Sequence, residues 1–425
     1  MKQYDSYKDS GVKWIGEIPS HWEICRLKNH TIIVLGKMLM SSPPKGEEHY
    51  YTLERYLKSK NIGWLEVYDS EDEVEEMWFN DSEKAMYCLK PNDIVMNEGG
   101  DVGKIGIWKN NGYNCYIQNS VNKITVDKGT SPFYLEYLLF AIAKTNYFWS
   151  IVNPVSIAHL TKEKLSGTPI VLPPIVEQQA IATYLDQKCA EIDKAIATQQ
   201  KRIELLQELR QNIITHAVTR GINPDVPLKD SGVEWIGMVP EHWGKCRFKD
   251  FVTLKTDVSL SDNKIGLENI EGKTGQYIET NSEFEGNGVA FDINDIIYGK
   301  LRPYLQKVWL ATFAGNAVGD FFVFRCKRNC ESKYLQYLML SDGFTSECNG
   351  ATLGAKMPRV SSDFILSLPY YLPSISEQQA IVAHIISETT KLDKLVAKAN
   401  RQISLLQELK QSIITEVVTG KRKVC

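Results

Sequence analysis

Between residues 177 and 219 apolar side chains fall at Ile181, Leu185, Ile192, Ile196, Ile203, Leu206, Leu209, Ile213 and Ala217, with Lys, Arg, Glu and Gln on the other face. Ile381, Ile385, Leu392, Val396, Ile403, Leu406, Leu409, Ile413 and Val417 repeat the stripe 200 positions later. Spacings of mostly three, four and seven predict an amphipathic helix. Each run follows a proline entry, LPPIVEQQ (172–179) and LPSISEQQ (372–379), and neither Pro nor Gly interrupts it before Gly221 or Gly420. Two long helices with matching stripes pair most simply with each other as a coiled coil. The seam is expected through Ile192, Ile196, Ile203, Leu206 and Ile213 on one helix and Leu392, Val396, Ile403, Leu406 and Ile413 on the other.

The helices belong to a larger duplication. KDSGVKWIGEIPSHWEICRLK (8–28) returns as KDSGVEWIGMVPEHWGKCRFK (229–249), 221 positions on. PNDIV (91–95) matches INDII (293–297) at an offset of 202, and from YLEYLLF (134–140) against YLQYLML (334–340) the offset is 200. Between these blocks the halves differ almost everywhere. A chain that duplicates its frame while two interiors diverge is holding two different readers in one geometry. The first half's surplus residues fall near 66–76 (EVYDSEDEVEE), whose charge predicts a solvated loop unsuited to face phosphate.

The expected architecture is α+β. Two α/β domains, 1–175 and 222–373, form a tandem pseudo-twofold repeat, with spacer helices at 176–221 and 374–425 running antiparallel. About 43 helical residues at about 1.5 Å each span on the order of 65 Å, while duplex DNA repeats its groove about every 34–36 Å. Domains flanking such a spacer can read two major-groove segments a fixed distance apart.

Composition changes this picture little. A length of 425 residues allows more than one core, and 43% hydrophobic with 24% charged residues is ordinary for a globular protein. No apolar run approaches a membrane span, and MKQYDSYKDS at the start lacks the apolar core of a signal peptide. Nine scattered cysteines then read as reduced thiols of a cytoplasmic protein. Cys326 and Cys330 have no second pair beside them, and Cys25 and Cys246, next to His21 and His242, read as packing in a shared turn; no metal site is expected.

A net charge of −3 leaves nucleic-acid binding to local clusters. In GKLRPYLQK (299–307), Lys300, Arg302 and Lys307 interleave with Tyr304, and Lys356 and Arg359 follow in KMPR (356–359). Basic and aromatic residues beside Gly and Pro suit an exposed loop that donates to phosphates and base edges. The matching place in the first half, NEGGDVGK (97–104), is glycine-rich and less basic, and offers Gly100 and Lys104.

These residues resemble the specificity subunit of type I restriction–modification enzymes. The likeness is carried by GVKWIGEIPSHW (11–22), GVEWIGMVPEHW (232–243), GKLRPYL (299–305) and the two proline-then-EQQ helix entries, and it covers essentially the whole chain. It implies two target-recognition domains, each reading one half of a split, asymmetric site in double-stranded DNA. It further implies that the helices bind two methyltransferase subunits and that restriction subunits join the larger complex. Adenine methylation and cleavage then belong to the partners, with S-adenosylmethionine, ATP and Mg bound there and no cofactor in this chain. The first half departs from the pattern in lacking a counterpart to the Lys300–Arg302 pair.

Chemistry of the chain's own is not in view. SSPPK (41–45) has Lys45 where an adenine methyltransferase needs an aromatic, and FAGNA (313–317) lacks the second glycine of a cofactor loop. There is no P-loop and no HExxH. Asp295 and Lys300 evoke a metal-dependent nuclease only loosely, because no Glu-x-Lys pair completes the site. Two other classes stay open at this stage. One is a coiled-coil scaffold without a DNA role; the other is a solitary DNA-binding protein, for which no helix-turn-helix is evident.

Overall fold

The computed structural model describes residues 3–70, 72–109, 112–152, 159–259, 263–354 and 356–424. Glu71, within the acidic 66–76 run, lies outside them. Two compact units emerge: residues 1–198 with 402–425, and residues 199–401. Both boundaries fall inside the long helices, so neither helix is a domain apart; each contributes a segment to both units.

The first unit centres on an antiparallel sheet of β1 (Thr31–Leu35), β2 (Ile94–Asn97), β3 (Ile105–Ile107) and β4 (Val121–Val126), in the order β1-β4-β2-β3. Helix α1 (Pro132–Lys144) covers it, and α2 (Ile175–Arg220) begins after the strand Pro169–Leu172. The second unit repeats the plan with β5 (Val252–Lys255), β6 (Ile296–Gly299), β7 (Val308–Leu310) and β8 (Phe321–Cys326), in the order β5-β8-β6-β7. Helix α3 (Ser332–Leu340) covers this sheet, and α4 (Ile375–Val418) follows the strand Pro369–Leu372. The repeated ND dipeptide is a turn into β2 and β6. Asn92 and Asn294 both sit at φ 71°, a left-handed geometry asparagine tolerates. Asp93 and Asp295 then accept the backbone N–H of Lys90 and Asp292 at 2.8 Å. Asp295 is also gripped by Arg325, so this carboxylate is a structural one and not a nuclease ligand.

The repeated motifs at the helix entries are locks. In the first unit His21 bonds Glu177 at 2.9 Å; in the second His242 bonds Glu377 at 2.9 Å, and the Trp243 indole donates to Glu377 at 3.0 Å. The next residue is a buried glutamine. Gln178 accepts the Ser131 N–H at 2.8 Å and donates to Pro173 O at 2.8 Å. Gln378 does the same with Glu331 and Pro373, at 2.8 and 2.9 Å. Each EQQ therefore ties the start of a long helix to the His-Trp turn and to the loop ahead of the sheet-covering helix, leaving no buried amide unpaired there.

Within each unit the two helix segments run antiparallel. In the first, Ile181, Leu185 and Ile192 of α2 share a core with Ile413, Ile414, Val417 and Val418 of α4, and Ile196 and Leu406 pack against it. In the second, Ile214, Ala217 and Val218 join Ile381 and Ile385, and Leu392 is buried. Ile203, Ile213, Val396 and Ile403 are half-buried. Leu209 and Leu409, placed on the stripe by spacing, are instead 46% and 47% exposed. The seam passes through their neighbours Arg210 and Lys410, whose stems lie inward to reach Asp393 and Asp193.

The surplus of the first half departs from expectation only at its end. Residues 66–70 and 72–74 lie outside any strand or helix, as expected, but Glu75 and Glu76 open a strand, Glu75–Asn80, paired with Tyr51–Leu57. Glu75 there binds Lys58 and Lys60, which hold its carboxyl down at about 2.

Candidate nucleic-acid interface

The loop between β6 and β7 carries most of the basic residues that stand out in the sequence. Arg302 adopts φ 51° and Gln306 φ 50°, left-handed for residues other than glycine, and a tight turn at Pro303–Leu305 separates them. Such backbones cost on the order of 1 kcal/mol each and persist only where the surroundings fix them. The fixing contacts are the Arg302 N–H on Pro358 O at 2.8 Å and the Gln306 amide on the Thr345 hydroxyl at 3.1 Å. The consequence is an outward Arg302 with no side-chain partner among the described residues, beside Tyr304, 48% exposed.

Arg359 lies against this loop through a backbone bridge with Leu301. Arg359 is held by both oxygens of Asp320, at 2.9 and 2.8 Å, and its guanidinium keeps the Asp320 carboxyl below the usual carboxylate range. Lys300 stands 3.9 Å from the same carboxylate and over the Phe322 ring. Lys356 is exposed. Lys307 departs from the sequence expectation: its ammonium donates inward to Leu267 O at 2.6 Å and Ile270 O at 2.9 Å, and burial lowers its pKa. It is a tie between loops, not a hand for phosphate. The fold thus brings Lys300, Arg302, Tyr304, Lys356 and Arg359 to one loop pair, with Arg302 and Lys356 the cations left uncommitted.

The equivalent loop of the first unit joins β2 to β3. Gly100 has φ +72°, and Gly103, at φ +92°, leaves room for Ala143, which an added Cβ would meet at 2.9 Å. Lys104 is paired with Asp101 at 2.5 Å. The bridge between loops recurs here between Gly99 and His159. Its hydrogen bonds recur too, Glu98 N–H to Ser120 O and Leu160 N–H to Glu98 O, matching Lys300 to Asp320 and Val360 to Lys300. Glu98 therefore stands where Lys300 stands, Ser120 where Asp320 does and His159 where Arg359 does. The His159 imidazole bonds the Glu98 carboxylate at 2.6 Å, and both line a cavity of about 350 Å³ with Asn119. Spacing did not single out Glu98, Asn119 or His159. Only the offsets of 202 and 200 point to Glu98 and His159, and only once the bridge is seen.

Among the described residues no group of three or more His, Cys, Asp or Glu could hold a metal ion, and no helix is long and apolar enough to cross a membrane. What both units do present is a hairpin loop and a neighbouring loop clasped together, at the equivalent place on each unit's own sheet and carrying different side chains. That arrangement defines a class of protein: a tandem-repeat chain with two unlike loop heads on one repeated frame.

Residues 56–207 match the family model described as type I restriction modification DNA specificity domain. The chain is 21% identical to the type I restriction enzyme MjaVIII specificity subunit of Methanocaldococcus jannaschii, covering 98% of this chain and 97% of that one. It is 25% identical to the putative MjaX specificity subunit of the same organism, over 98% of both chains, and 25% identical to the EcoDI specificity subunit of Escherichia coli over 63% of this chain and 65% of that one. A chain from the solved structure on complex assembly and conformational transition of the type I restriction–modification system has the same fold, with a TM-score of 0.65 and 14% identity over 94% of this chain and 98% of that one. Residues 56–207 thus match a type I restriction modification DNA specificity domain, and over nearly its whole length the chain is similar to type I restriction enzyme specificity subunits.

Proposed function

We propose that each unit reads one half of a bipartite, asymmetric site in double-stranded DNA, and that the long helices set the spacing of the halves. The observation that carries this is the pair of equivalent loop clasps with unlike chemistry: Lys300, Arg302 and Lys356 on one, Glu98, Asn119 and His159 on the other. Identical frames give both clasps the same approach to a groove, and unlike side chains make the halves read different bases. Gly100 and Lys104 flank the first clasp and Tyr304 the second.

Catalysis belongs to partners in this reading. Leu205 and Leu209 are about half exposed in the second unit, and Leu405 and Leu409, their repeat equivalents, in the first. Two copies of one apolar pair suit two copies of one partner, the methyltransferase subunit, with restriction subunits joining the full complex. S-adenosylmethionine, ATP and Mg act in those subunits, in the cytoplasm. The test is a gel shift with purified chain, alone and with the methyltransferase partner, together with methylome sequencing before and after deletion of the gene. A single two-part motif that vanishes on deletion supports the reading. Duplex binding that ignores the partner favours a solitary binding protein, and no duplex binding in either form favours a scaffold.

A further inference from the structure

Resting on that reading, we propose that the first unit recognises an adenine in its half-site through His159 and Asn119, with Glu98 as a positioning residue. Glu98 is largely buried, and its carboxylate accepts from the His159 Nδ1 at 2.6 Å. A carboxylate has no proton to give, so the bond puts a proton on Nδ1, and in the neutral imidazole that leaves Nε2 as an acceptor. The imidazole is half exposed, so that acceptor is open to a ligand. Asn119 is set the opposite way. The Gln118 amide donates to Asn119 Oδ1 at 2.6 Å, and Gln118 is itself fixed by accepting from the Ser120 N–H at 3.1 Å. With its oxygen engaged, Asn119 offers amide N–H donors to the cavity it shares with His159.

One fixed acceptor beside one fixed donor is the complement of adenine in the major groove, where N6 donates and N7 accepts. Guanine presents two acceptors at that edge and sets O6 or N7 against His159 Nε2. Cytosine offers only a donor and thymine only an acceptor with its methyl group. The second unit is built otherwise at each equivalent place. Gly319 replaces Asn119, and Arg359 is held by Asp320, so the outward guanidinium is that of Arg302, a fork suited to guanine O6 and N7.

The experiment is selection of duplexes from a randomised library by the chain with its methyltransferase partner, comparing wild type, His159→Ala, Asn119→Ala and, as a control on the other unit, Arg302→Ala. The wild type is expected to return two half-sequences, one containing an adenine. His159→Ala and Asn119→Ala should each lower discrimination at that adenine about tenfold, leaving the other half-sequence intact. His159→Gln, whose side-chain oxygen can accept, should recover part of it. The inference is overturned if both alanine variants leave the motif unchanged, if they relax the half that Arg302→Ala relaxes, or if the relaxed position is not adenine. Failure of the wild type to return any two-part motif overturns the functional reading as well. A motif that is present but indifferent to His159 and Asn119 overturns this inference alone.

Discussion

Asp193 and Lys410, 217 positions apart in the chain, meet at 2.7 Å across the helix pair of the first unit. The second unit holds the same pair with its partners exchanged, Arg210 on α2 meeting Asp393 on α4. Exposed pairs of this kind contribute about 0.2–1 kcal/mol, but their placement fixes register, because a one-turn slip sets Lys410 against Cys189 and Ala190 or Ile196 and Ala197 and leaves both charges unpaired. Asp193→Lys is expected to lower the urea midpoint, and Asp193→Lys with Lys410→Asp to restore most of it. A double-mutant cycle with no coupling removes the register role.

Arg302 and Lys307 sit on one loop and should fail differently. Arg302→Ala is expected to cost about 1–3 kcal/mol of specific binding and relax one base position. If it meets only phosphate, the loss is uniform across sequences with a shallower salt slope. Lys307→Met should leave the salt slope unchanged and lower the stability of the second unit, since it strands the Leu267 and Ile270 carbonyls. Binding titrations at several salt concentrations separate the two.

Glu136 predicts a pH dependence. Burial, reinforced by Asp186, pushes its carboxyl from 4.5 up to about 8. The folded chain keeps a proton that the unfolded chain releases above about pH 4.5, so stability is full below that pH, falls as pH rises toward 8, and stays lost beyond it. The equivalent residue in the second unit is Gln336, whose amide bonds Gly275 O and Val308 O at 3.0 and 3.1 Å. Glu136→Gln should therefore stabilise the first unit by about 1–3 kcal/mol at pH 7 and by little at pH 4.5. Equal gains at both pH values contradict the assignment.

Four residues inserted after Thr198 and again after Arg401 lengthen each helix by about 6 Å, near one turn, and keep the apolar stripe nearly in phase. Because B-DNA rises about 3.4 Å per base pair, the methylated motif should keep both half-sequences while its unspecified spacer grows by about one or two. Altered bases in a half-site with an unchanged spacer would sink the ruler role.

The frame was legible because it is duplicated: the offsets aligned β2 with β6 and α2 with α4, and three-four periodicity gave both helices. What periodicity misjudged was Leu209 and Leu409, because a seam that admits Arg210 and Lys410 by their alkyl stems shifts by one position. Lys307 misled because a lysine in a basic run looks exposed until the carbonyls of Leu267 and Ile270 are seen beneath it. His159 was illegible for a different reason. Its meaning comes from Glu98, and the backbone bridge that joins them is a tertiary contact between distant segments.

The first unit is interrupted. Residues 199–401, the whole second unit, lie between its two parts, and its core needs Ile413, Ile414, Val417 and Val418, while Tyr134 and Tyr7 donate to Val418 O and Gly420 O, both at 3.2 Å. On a ribosome, then, the head made first is finished last. Its half-built core, with Ile181, Leu185 and Ile192 uncovered, waits while the second head is translated whole and can close around its own contiguous chain. A message cut short before residue 402 yields a protein whose complete head is the later one.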